Sequence, residues 1–239
     1  MAGFDTASTV QSQVPAAIDV WGAPAFWVRY FSPCYFTSLS SDAVSECDAI
    51  WNGNSGSPHL GAVSTPTQSR LDGTGAEGQA DAQTYVSALI SAYTTVVPLQ
   101  LPANGALFCW LDQEASTSLS LGYWNGWAGY INGYAYAGGH PFHAALYCNP
   151  FAAPPNCSII DSPSADHCYA VWSSEPLRCS NSLGSPPAWA AESCSNVTTY
   201  LWQYWDEGIC YNTNANVDLD VGHPNTNYSS YCFYLSSKP

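Results

Sequence analysis

Apolar positions along the chain fall into short continuous runs separated by helix-like windows, mostly in its first 150 residues. Phe26-Trp27-Val28-Arg29-Tyr30-Phe31 is aromatic and β-branched, the pattern of a strand buried on both faces. Leu60 to Thr65 reads as a weaker strand. The spacing of Val86, Leu89, Ile90 and Tyr93 predicts a helix from Asp81 to Val97, capped by Asp81 and stopped by Pro98. Ala106 to Leu111 predicts another buried strand, running into Asp112-Gln113-Glu114. A second helix is predicted from about Ser118 to Tyr136, despite internal glycines, followed by a strand from Phe142 to Cys148.

Beyond Asn149 proline, serine, asparagine and cysteine dominate. Strands are predicted at His167 to Trp172, Thr199 to Trp205 and Asn216 to Val221, without clear helices between them. Strand-helix alternation followed by helix-poor strands predicts a TIM-like (β/α) barrel with a helix-poor second half, in a single domain over residues 1–239. The long helices argue against a pure β-sandwich.

Composition narrows the partners. Eighteen acidic residues against four basic ones give a formal charge of −14, and only 9% of residues are charged. Four cations cannot neutralise a run of phosphates or hold to an anionic bilayer, which excludes nucleic acid and membrane surfaces as electrostatic partners. An aromatic content of 14% is that of a packed core rather than a disordered chain. Ten cysteines, at positions 34, 47, 109, 148, 157, 168, 179, 194, 210 and 232, include no C-x-x-C pair. Their even number predicts up to five disulfides in an oxidising compartment. The expectation is a secreted, extracellular monomer, with Met1 replacing a removed signal peptide.

The carboxylates carry the candidate chemistry. Asp112 and Glu114 stand two apart at the end of a predicted strand, Asp218 and Asp220 repeat the spacing on the last one, and Asp5 follows the first apolar stretch. Strand C-termini of a parallel barrel converge on one mouth. Carboxyls gathered there suit glycoside hydrolysis, in which one is kept protonated as general acid while others stay ionised.

Gly3-Phe4-Asp5-Thr6, Asp112-Gln113-Glu114, Trp202-Gln203-Tyr204 and Asn216-Val217-Asp218-Leu219-Asp220-Val221 occur in the order seen in glycoside hydrolase family 25 lysozymes. The chain resembles that family over essentially its whole length, and especially the related bacterial glycoside-hydrolase-like domains that begin Gly-Phe-Asp-Thr. The resemblance implies a lysozyme-type barrel acting on an N-acetylated glycan such as peptidoglycan, without metal or cofactor. It makes Glu114 the general acid and gives Asp5, Asp112 and Asp218 the ionised charge around the sugar. The substrate's N-acetyl group is a candidate internal nucleophile. Trp202, Gln203 and Tyr204 would lie beside the site, with Asp220, where family members usually carry Asn. Tyr30, Tyr147 and Trp172 are candidates to stack on sugar rings. The ten cysteines and the strong negative charge depart from the family pattern. A non-catalytic glycan-binding or cell-surface module on the same barrel is the alternative.

Three other signals lead elsewhere. Gly53-Asn54-Ser55-Gly56-Ser57-Pro58 resembles a serine-protease nucleophile segment, but every histidine follows Ser55. His140-Pro141-Phe142-His143 reads as a loop with surface histidines, and Gly73, Gly75 and Gly78 as a flexible loop before the Asp81 cap.

Overall fold

The computed structural model describes residues 2–238 apart from 7–9, 32–38, 54–57, 95, 97–98, 104, 115–116, 137, 151–156, 176–186 and 207–216. The elements run β1 (Ala2–Thr6), α1 (Val10–Trp21), β2 (Phe26–Phe31), α2 (Leu39–Gly53), β3 (His59–Ser64), α3 (Gly75–Tyr93), β4 (Leu99–Gln100), β5 (Leu107–Asp112) and α4 (Leu121–Asn132). They continue with β6 (Ala135–Tyr136), β7 (His140–Cys148), α5 (Cys157–Ile160), β8 (Ala170–Ser174), β9 (Thr199–Trp205), β10 (Asp218–Gly222) and β11 (Phe233–Leu235).

Eight strands close into a barrel in the order β1-β2-β3-β5-β7-β8-β9-β10, with β10 returning to β1. All neighbours are parallel except those of β10, which runs antiparallel to both β9 and β1. Among the described residues the long helices all precede β7, and after it come only the four-residue α5 and a 3-10 turn at Tyr228–Tyr231. This is the helix-poor barrel the sequence predicts.

Strand alternation divides the core in two. Phe26, Val28 and Tyr30 of β2, Phe108 and Trp110 of β5, and Ala170 and Trp172 of β8 fill the barrel interior, where Tyr228 and Cys232 join them. The opposite faces, among them Trp27, Phe31, Leu107 and Leu111, pack outward against the helices. Arg29, on that outer face, is buried and pairs with Glu46 of α2 at 2.9 Å while donating to the Thr6 carbonyl. It ties the end of β1 to a helix.

Several local expectations are corrected. Helix α3 starts at Gly75, not Asp81: Thr74 and Glu77 form a reciprocal capping box. Asp81 instead pairs with Arg70 and accepts from Tyr123. The glycines read as a flexible loop permit close helix packing. A Cβ at Gly78 would lie 2.1 Å from the Tyr123 carbonyl oxygen, and one at Gly126 only 1.9 Å from that of Gly75. Helix α4 ends at Asn132, and Ala135–Tyr136 pairs as a short strand with β7. His140 and His143 lie on β7 rather than a loop, with His143 stacked on Tyr169.

Full disulfide pairing is also overturned. Cys157 and Cys194 are bonded, whereas Cys47, Cys109, Cys148, Cys168 and Cys232 are free and buried. A buried thiol behaves as a small apolar side chain, so an even cysteine count does not require pairing. Cys34, Cys179 and Cys210 lie outside the described residues.

Candidate active site

The mouth at the C-terminal ends of the parallel strands gathers the carboxylates. Asp112 closes β5, and Glu114 follows it in an exposed position. Asp218 is the first residue of β10, so in a parallel strand it would sit at the far end of the barrel. Because β10 is reversed, Asp218 is paired in register with Asp5. The same pairing places Asp220 opposite Gly3, one step deeper.

A ring of polar side chains holds these acids. The Tyr30 hydroxyl donates to Asp5 Oδ1 at 2.8 Å, and the Gln203 amide donates to Asp218 Oδ2 at 2.9 Å. Gln203 Oε1 accepts in turn from Tyr147 at 2.8 Å and from Ser174 at 2.9 Å. Trp172 Nε1 donates to Asp220 Oδ1 at 2.9 Å. The Asp112–Glu114 backbone is clamped by Gln68, whose amide donates to the Asp112 carbonyl at 3.1 Å while its Oε1 accepts the Glu114 N–H at 3.0 Å.

Burial sets the protonation states. Asp5 is fully buried, and desolvation pushes its carboxyl up to about 6 against the hydrogen bonds from Asp220 and Tyr30. Asp112 is also buried and is held well above the ordinary carboxyl range by desolvation, with Glu114 and Asp5 adding like charge. Asp220 is raised strongly by desolvation and by Asp5. Glu114 is raised as well, by partial desolvation and then by Asp206.

The structure redistributes the candidates for sugar contact. Trp172 is 0% exposed and Trp202 1%, so neither offers a ring face at the surface. Trp172 serves Asp220, and the Trp202 indole donates to the Glu175 carbonyl at 3.3 Å. Asp220 is itself 0% exposed and lies deeper in the barrel than Asp5. Tyr30 and Tyr147, at 9% and 8%, turn their hydroxyls to Asp5 and Gln203. Tyr204 remains half-buried beside Trp202.

Three residues at the mouth escape the sequence reading. Asp206 directly follows β9 and Glu175 directly follows β8, the same strand-end signal that marks Asp112. Gln68 carries no such signal, because its role depends on a loop crossing from the end of β3. A cavity of about 270 Å³ lies beside that loop, lined by Phe31, Pro66, Arg70 and Tyr85 among others, and includes none of the mouth carboxylates.

Solved structures share this architecture. The barrel has a lysozyme-like fold of the glycoside hydrolase 25 kind. A glycosyl hydrolase 25 of Streptococcus pneumoniae superposes with a TM-score of 0.56 at 12% identity, covering 95% of this chain and 89% of the other. The spore cortex lytic enzyme SleM of Clostridium perfringens gives 0.60 at 15% identity, covering 96% and 69%. An uncharacterized protein of B. stearothermophilus gives 0.63 at 16% identity, covering 94% and 96%. The sequence matches no family model and no curated protein. No helix among the described residues is long and apolar enough to cross a membrane.

Proposed function

We propose that the chain is a secreted glycoside hydrolase of lysozyme type, cleaving an N-acetylated glycan such as peptidoglycan. The observation that carries this reading is the convergence of Asp5, Asp112, Glu114 and Asp218 on one barrel mouth, where desolvation raises the carboxyls of Asp5, Asp112 and Glu114. Glycoside cleavage uses such raised carboxyls, since one must donate a proton while others stabilise positive charge. The fold shared with glycosyl hydrolase and lytic enzymes supports the same reading.

Glu114 is the general acid. It is exposed at the mouth, so a glycosidic oxygen can reach it, and its raised pKa keeps a proton available. Asp5 and Asp218 supply ionised charge. Asp112, whose burial favours its neutral form, brings a proton rather than a charge to the free enzyme. The substrate's N-acetyl group then serves as the internal nucleophile of a retaining reaction. In the glycan-binding alternative the same carboxylates would serve only as hydrogen-bond acceptors for sugar hydroxyls, and no glycan would be cleaved. Reducing-sugar release from bacterial walls, chitin oligomers and acidic polysaccharides tests the proposal. Cleavage of an N-acetylated member of this panel is expected, and binding without release from all of them would contradict it.

A further inference from the structure

The Asp5 and Asp220 carboxyls meet inside the barrel, both fully buried. Each uses Oδ1 on a donor: Tyr30 for Asp5 and Trp172 for Asp220. Oδ2 of each is buried with no donor on it, and the two carboxyls adjoin from the paired strands β1 and β10. Two carboxylates could not satisfy one another there, because an ionised carboxylate only accepts. We propose that Asp5 and Asp220 share one proton between their Oδ2 atoms, so that Asp220 is a positioning residue acting as a neutral donor to the Asp5 carboxylate.

The surroundings favour keeping this proton. Asp218 on β10 and Asp206 after β9 add negative charge around the pair, and Asp112 on β5 faces it with its own carboxyl raised towards the neutral form. Tyr30, Tyr147, Tyr204 and Tyr228 face it as phenols. Arg29 is the cation that acts on Asp5, and it is already paired with Glu46. Asp220 in its neutral form offers the bonding pattern of an asparagine: one oxygen accepting from Trp172 and one donor facing Asp5. On raising the pH the shared proton leaves to solvent, and two adjacent buried carboxylates remain.

The proposal rests on reading Asp5 as a mouth carboxylate of the glycosidase, but its tests need no substrate. Asp220→Asn keeps acceptor and donor and cannot titrate. A carboxyl whose pKa is raised by folding favours the folded state below its unfolded pKa, and that contribution is lost as pH climbs through the folded value. Wild-type Tm should therefore fall relative to Asp220→Asn as pH rises from about 5 to about 9, by about 3 °C or more for a chain of this size. In the infrared, wild type at about pH 7 should show a protonated-carboxyl C=O band that Asp220→Asn lacks, since an unperturbed Asp is ionised there. Parallel Tm curves together with identical carboxyl bands would overturn the proposal. A band lost in the variant, in a protein that cleaves no glycan, would uphold the shared proton and sink the glycosidase reading instead.

Discussion

At the floor of the barrel Phe108 stacks on Tyr231 with ring centroids 4.1 Å apart, and Tyr200 and Trp110 meet it edge-on. At the mouth, Tyr30 of β2, Tyr147 of β7 and Gln203 of β9 engage their polar atoms with carboxyls, with one another or with Ser174. Phe108 and Trp110 are as buried as the mouth residues, yet one layer is held by ring packing and the other by hydrogen bonds. Buried polar groups are costly unless satisfied. The difference shows where this barrel gives up packing stability to keep acids in place, and the acids all sit on the side where β10 enters reversed.

Substitutions on either side separate the two layers. Glu114→Gln should produce the largest effect, a loss of about 10²–10⁴-fold in turnover, because the amide keeps the shape but cannot donate the proton. Its Tm should stay close to wild type, as Glu114 is exposed. Phe108→Ala should do the reverse. It removes a ring from a sealed floor and should cost about 3–5 kcal/mol in denaturant unfolding, with activity per folded molecule retained. An equal loss of turnover in both variants would erase the distinction between mouth and floor.

Tyr30→Phe removes the hydroxyl that helps hold Asp5 ionised, at a cost of about 1.5–3 kcal/mol for a hydrogen bond to a charged group. Without that donor the Asp5 pKa rises further, so the acid limb of the pH–rate profile should move to higher pH. A limb that stays in place would separate Asp5 from the chemistry. The smallest effect concerns Cys232, which is fully buried at the floor and whose thiol burial pushes well above its ordinary range. A thiol reagent should leave Cys232 unmodified in the native protein and label it after denaturation; fast native labelling would show that the floor is open.

Much of the barrel is legible in the sequence because its strands are buried on both faces. Phe26–Phe31 and Thr199–Trp205 are aromatic runs whose bounds match the structure. Helices α1 and α2 are not legible: Pro15 interrupts the first, and the second is rich in serine and acidic residues. The start of α3 is hidden by glycines that look like a loop but serve contact with α4. At the mouth, Asp5, Asp112, Glu114 and Asp218 can be found from strand ends and motif order. The reversal of β10, which sends Asp218 upward and buries Asp220, is a matter of topology, and no local pattern encodes it. Trp172 looks like a sugar platform only because sequence does not show which rings the barrel encloses.

The pH dependence of kcat/KM on a cleaved glycan tests the central claim most directly, because it reads the protonation states that burial imposes on the mouth. Composition alone suggests an optimum of roughly pH 3–5.5, the range of ordinary to moderately raised carboxyls. The structure raises that expectation: Asp5 must lose its proton to supply charge, and burial pushes its pKa up to about 6. A bell-shaped profile is predicted, with its acid limb near that value and its apparent limits belonging to the coupled carboxyls together. A maximum near about pH 4, where unperturbed carboxyls titrate, would contradict the account, because Asp5 would then be working in its protonated form.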